Sequence, residues 1–189
     1  MKTALYFFSM VIVGIIAGAL SFSHLMDRAI TATGVRNGPW ITNTAYGDRD
    51  APALLKAGVA MRGLFALKSS ETVYYTAYTD SNGEPLSDGC TYRVRGAAPA
   101  TRWWSFTLYG DDNFLIANDA NIYSVFMDPE SRVVDFTISP QQPRDDADWL
   151  PSGNGGAVSV TLRLYNPAST VYEALDTTPL PSITREDCS

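Results

Sequence analysis

A single histidine, His24, two cysteines, Cys90 and Cys188, and 20 Asp plus Glu residues bound the chemistry open to this chain. Ser–His catalysis needs an imidazole beside a hydroxyl. His24 stands at the end of a long apolar run, so no imidazole remains for a general base in the body of the chain. Lys68 with Ser69-Ser70 comes nearest to a Ser–Lys pair, but sequence neighbours at a helix end are ordinarily solvated. Glu71, Asp80, Asp88, Asp111 and Asp135 supply carboxylates for a glycosidase-like pair, although acidic residues beside Gly and Asn are usually turn formers. Asp80, Asn82 and Glu84 begin like a calcium loop, yet Gly83 falls fourth instead of sixth and Thr91 stands where a Glu is required. Asp145, Asp146 and Asp148 read as a solvated loop. No metal set is expected, because so few His and Cys residues exclude the usual zinc and haem-attachment patterns. No cofactor is expected either, since no Gly-rich phosphate cradle is present.

Binding chemistry has better material. Strand alternation over Trp103–Tyr109 places Trp104, Phe106 and Leu108 on one face and Trp103, Ser105, Thr107 and Tyr109 on the other. Over Val158–Tyr165 the apolar side is Val158, Val160, Leu162 and Leu164, and the polar side is Ser159, Thr161, Arg163 and Tyr165. Tyr75, Trp103, Tyr109, Arg163 and Tyr165 would then line a sheet surface for a small or sugar-like ligand, aromatics beside a fixed guanidinium. The bland alternative is a solvated outer face.

These residues need a scaffold and a compartment. Ala4–Phe22 is 19 residues without a charge. As a helix it would be roughly 28 Å long, close to the ~30 Å hydrocarbon core of a bilayer. It predicts a retained signal anchor over residues 1–26, inserted in the lipid through residues 4–22; Ala17-Gly18-Ala19 leaves a cleaved signal peptide as the competing reading. Lys2 keeps the amino terminus cytoplasmic. The chain is therefore expected to cross a bacterial inner membrane once, with its carboxyl-terminal body in the periplasm. There Cys90 and Cys188 would pair, closing a loop near 100 residues that the chain-entropy model values at about 4.7 kcal/mol. A formal net charge of −6 and pI of about 4.6 argue against nucleic acid as a partner.

Residues 27–49 read as a juxtamembrane linker docked by Trp40-Ile41. Asp50 and Pro52 open a helix reaching Leu67, with a stripe of Leu54, Ala57, Met61, Leu64 and Phe65. Beyond Ser69, strands are expected at Thr72–Thr79, Cys90–Arg95, Trp103–Tyr109, Tyr123–Met127, Val133–Ile138 and Val158–Tyr165. An Asn82-Gly83 turn, a long loop over 139–157 and an irregular tail from Pro167 complete the pattern. Six such strands predict an antiparallel β-sandwich or jelly roll over residues 50–189, with one packed helix.

Four ordered segments carry a family resemblance: ETVYYTAYTDSNGEPLSDGCTYRV from Glu71, WWSFTLYGDDNFLIANDANIYSV from Trp103, DWLP from Asp148 and LRLYNP from Leu162. They resemble the bacterial family termed domain of unknown function 1214, at Tyr75, Tyr109, Asn118, Tyr123, Trp149, Arg163 and Tyr165 among other positions. The resemblance implies a jelly-roll β-sandwich. In longer relatives this follows a second domain, numbered 1254, so a separate domain 1254 protein is the partner it implies here. Three functions follow as expectations: a periplasmic ligand- or partner-binding module, an envelope carbohydrate-active hydrolase with paired carboxylates, and a purely structural assembly platform.

Overall fold

The strongest organising signal is the alternation of bulky apolar residues in three long strands. β3 (Thr72–Ala77), β5 (Thr101–Gly110) and β9 (Val158–Pro167) lie side by side. Register places Tyr75 opposite Leu162, and Leu162 opposite Phe106, so one face becomes continuously apolar. The facing sheet contributes Val94 from β4 (Cys90–Ala97), Phe136 from β7 (Val133–Ser139) and Ile183 from β10 (Ser182–Cys188), all fully buried. Phe106 and Phe136 meet across the interface with ring centroids 4.9 Å apart. Burial of these two inner faces in one core holds the sheets together.

The computed structural model describes residues 2–32, 34–61, 66–128, 130–131, 133–144, 148–153 and 156–188, and the side chains of its first helix from residue 6 to 22. With β1 (Val35–Asn37), β2 (Trp40–Thr42), β6 (Ser124–Phe126) and β8 (Asp148–Pro151), the sheet orders are β1-β2-β3-β9-β5-β6 and β10-β4-β7-β8. The chain is mainly β, with two sheets and helices α1 (Lys2–Ala32), α2 (Ala53–Met61) and α3 (Ser169–Glu173). The Asn82-Gly83 turn is present: Gly83 has φ +89°, and Asp80 Oδ1 accepts from Asn82 N and Glu84 N at 2.9 and 3.0 Å. Asp80 is thereby a turn anchor. Its other oxygen lies 3.6 Å from Arg185 Nε.

Several expectations are corrected. Part of the 27–49 linker joins the sheet, because β2 pairs with β3 and buries Trp40 and Thr42. Trp40 does dock this segment, its Nε1 donating to Pro181 O at 2.8 Å. Helix α2 ends earlier and turns another face inward. Leu55 and Gly58 are buried, whereas Leu54 and Met61 are 39% and 63% exposed. Leu55 packs with Tyr46, Ala51 and Tyr74, so the face that meets the sheet is the buried one. Leu64 and Phe65 lie outside the described residues, as do Asp145 and Asp146. The 139–157 loop contains β8, which pairs with β7 in parallel, a departure from the all-antiparallel ladder of two Greek keys. The tail contains α3 and β10. In β10 only Ile183 is buried, so its mostly polar sequence shows little strand pattern.

α1 includes the whole Ala4–Phe22 run. Among the described residues no helix is long and apolar enough to cross a membrane. The described side chains of α1 are all exposed.

Candidate functional site

Residues directly opposite in neighbouring strands share a face, so the register lays out the outer surface of the six-stranded sheet row by row. One row is Thr72, Tyr165 and Trp103; the next is Tyr74, Arg163, Ser105 and Phe126; a third is Thr76, Thr161, Thr107 and Ser124. Tyr109 follows, opposite Ser159. Four of the five predicted binding residues therefore stand on one surface: Trp103, Tyr109, Arg163 and Tyr165.

Tyr75 does not. It is fully buried on the core face, where its hydroxyl donates to Leu175 O at 3.0 Å. The adjacent tyrosine, Tyr74, takes the outer position beside Arg163. A two-residue period allows only one of two consecutive tyrosines outward, and the core parity of Val73 and Ala77 assigns that place to Tyr74. Phe126 is a second residue that sequence reasoning missed. Alternation within the expected Tyr123–Met127 strand was the signal available, since Val125 and Phe126 must take opposite faces and Val125 is the buried one.

Arg163 is the centre of this face. Its Nη1 donates to Thr107 Oγ1 at 2.7 Å and its Nη2 to the Tyr109 hydroxyl, while its guanidinium carbon sits 5.7 Å from the centroid of the Tyr109 ring. Among the described residues it has no carboxylate partner. The hydroxyl row below is itself tied together by Thr76 and Thr161, their Oγ1 atoms 3.0 Å apart. A guanidinium fixed by neutral hydroxyls keeps its full positive charge and further N–H donors. Beside it, Trp103 packs on Tyr165 and Phe126 with centroids 5.1 and 6.1 Å apart. Trp103 and Phe126 remain 39% and 58% exposed, an apolar platform next to a cation.

The β3 side of the face is covered. Tyr74 packs with Tyr46, Ala51 and Leu55, and its hydroxyl accepts from Leu67 N at 2.8 Å. Burial raises the Tyr74 phenol above its usual range, opposed by that hydrogen bond and by the charge of Arg163. On the rest of the face Ser105, Thr107, Ser159 and Thr161 are buried, and the accessible side chains are Trp103 and Phe126 with the half-buried Tyr109, Arg163 and Tyr165.

Most of the other sequence candidates have structural partners. Cys90 and Cys188 form a disulfide that joins directly opposed positions of β4 and β10. Asp88 Oδ1 accepts from Gly156 N at 2.5 Å. Asp135 meets Arg93 Nε at 2.5 Å and Arg95 Nε at 3.5 Å. Asn118 clamps its own loop through Ile116 O and both backbone atoms of Ile122. Trp149 Nε1 donates to Ser139 O at 3.0 Å, and Tyr123 is partly exposed. Ser69 lies in a turn and its carbonyl accepts from the Tyr172 hydroxyl.

Two facing sheets, one of them carrying a cross-strand disulfide, define a mainly β protein. The chain belongs to the family described as Protein of unknown function (DUF1214), whose model matches residues 71–169. Among solved structures, the VPA0106 protein from Vibrio parahaemolyticus is similar in fold, with a TM-score of 0.57 and 24% identity over 93% of this chain and 44% of that one. An uncharacterised protein from Burkholderia cenocepacia gives a TM-score of 0.46 at 15% identity, over 92% of this chain and 42% of its own. The chain spans less than half the length of either. No curated protein matches.

Proposed function

We propose that the chain is a single-pass inner-membrane protein whose periplasmic β-sandwich binds a ligand or partner on the outer face of the six-stranded sheet. The observation that carries this reading is Arg163, held by Thr107 and Tyr109 with no carboxylate partner among the described residues, beside the exposed rings of Trp103 and Phe126. Desolvating an arginine is costly unless a partner supplies acceptors, so such a site favours a polar or carboxylate-bearing group flanked by flat apolar surface. Tyr6, Phe7, Phe8, Met10, Val13, Ile15 and Leu20 are exposed on α1, and lipid would be their natural surrounding. The disulfide supports an oxidising compartment. A separately encoded domain 1254 protein is the proposed macromolecular partner, and the greater length of the Vibrio protein supports looking for one.

The test is purification of the full chain from gently solubilised membranes, wild type beside Arg163→Ala, with mass spectrometry of everything that co-purifies. A protein or small molecule retained by the wild type and lost from the variant, with both equally folded, is the expected result. Identical recoveries would remove Arg163 from the reading. A cytosol-dependent reporter fused to the carboxyl terminus should stay dark; fluorescence there would overturn the location.

A further inference from the structure

We infer that the edge between β6 and β8, which borders the Arg163 face at Phe126, is a binding groove for a neutral saccharide. Two cavities lie there. One, about 360 Å³, has Trp104, Phe126, Asp128 and Asp148 in its walls, with Arg95 and Asp135 at one side. The other, about 560 Å³, shares Val125, Phe126, Asp128 and Asp148 and adds Trp149 and Gln142. The two share four lining residues and lie side by side at β6 and the start of β8, each of a size ordinary for small-ligand sites.

Three features select the ligand. The Trp104 indole N–H is buried without a hydrogen-bond partner, a costly state for a donor that a ligand oxygen would relieve. The other tryptophan, Trp149, already donates to Ser139 O, so its ring contributes a flat wall. Among the described residues Asp128 and Asp148 have no cationic partner, whereas Asp135 is matched by Arg93 and Arg95. The uncompensated charge is negative, and phosphates or carboxylates are therefore disfavoured. A neutral sugar satisfies all three at once. Its hydroxyls accept from Trp104 and donate to the carboxylates, and its C–H faces lie on aromatic rings. Two adjacent cavities fit more than one ring.

The experiment uses the full chain in a detergent without a sugar headgroup. Maltotriose, cellotriose and triacetylchitotriose are titrated while the Trp104 indole N–H resonance and tryptophan fluorescence are followed. Spermidine serves as the cationic alternative and a sulfated trisaccharide as the anionic one. Trp104→Phe removes the unpaired donor together with the five-membered half of a buried indole, so circular dichroism and a thermal melt are compared with wild type, and Asp128→Asn, at an exposed position, gives a second test that leaves the core untouched. The expected result is saturable binding of a neutral trisaccharide, weakened about tenfold by Trp104→Phe, the loss of one hydrogen bond, and also weakened by Asp128→Asn. Arg163→Ala should leave it unchanged, which separates this groove from the outer face. Absence of saturable binding at millimolar sugar, affinity untouched by Trp104→Phe, or binding of spermidine or the sulfated sugar instead overturns the inference.

Discussion

Reducing the Cys90–Cys188 bond should cost the domain most of one large entropic contribution without dismantling its native contacts. The bond spans 98 residues, and the chain-entropy relation then gives about 4.7 kcal/mol at 25 °C. Marginal domains have roughly 5–15 kcal/mol in total, so the reduced protein should still fold. The strand carrying Cys188 is anchored independently. Ser182 to Asp187 pair along β4, Ile183 is buried, and Trp40 Nε1 holds Pro181 O. Most of the loss should therefore arise in the unfolded state. With an m-value of about 2 kcal/mol/M, the urea midpoint of the full chain in detergent should fall by about 2 M on reduction. The Cys90→Ser/Cys188→Ser double variant should show the same fall and no further response to reductant. A fall below about 0.3 M, in protein whose thiols were counted as closed beforehand, would refute the entropic reasoning.

Phe106→Ala removes the ring that bridges the sheets, touching Trp40, Trp104 and Phe136 with centroids 4.9 to 6.1 Å away. It should destabilise by about 3–5 kcal/mol in denaturant titrations, far more than Phe126→Ala on the exposed side. The pH dependence should be alkaline. Burial, then the charge of Asp176, raises the Tyr75 phenol well above the ordinary tyrosine value of about 10, so the folded state retains a proton that the unfolded state loses. That stabilisation is complete below pH 10 or so and declines above it by up to about 1.4 kcal/mol per pH unit. Urea midpoints should reveal the slope, and Tyr75→Phe should reduce it while costing about 1 kcal/mol at neutral pH, since the Leu175 carbonyl loses one hydrogen bond and keeps that from Asn37 Nδ2.

What the sequence by itself determined was what periodicity and type express locally. The alternation in WWSFTLY and VSVTLRLY assigned Trp104, Phe106, Leu162 and Leu164 inward and Trp103, Tyr109, Arg163 and Tyr165 outward, as found. The cysteine pair and the Asn-Gly turn were legible for the same reason: each depends on residue chemistry or on a neighbouring dihedral. Tertiary structure decided the rest. Which of Tyr74 and Tyr75 faces out depends on the register of β3 against β9, a relation between segments some ninety residues apart. Leu55 and Gly58 are buried in place of Leu54 and Met61 because burial follows the surface that a helix meets, and apolarity alone does not name that surface. β8 and β10 are strands only because β7 and β4 offer them hydrogen bonds. The cavities beside Trp104 are lined by residues of β4, β5, β6, β7 and β8, and no single stretch of chain encodes a space between strands.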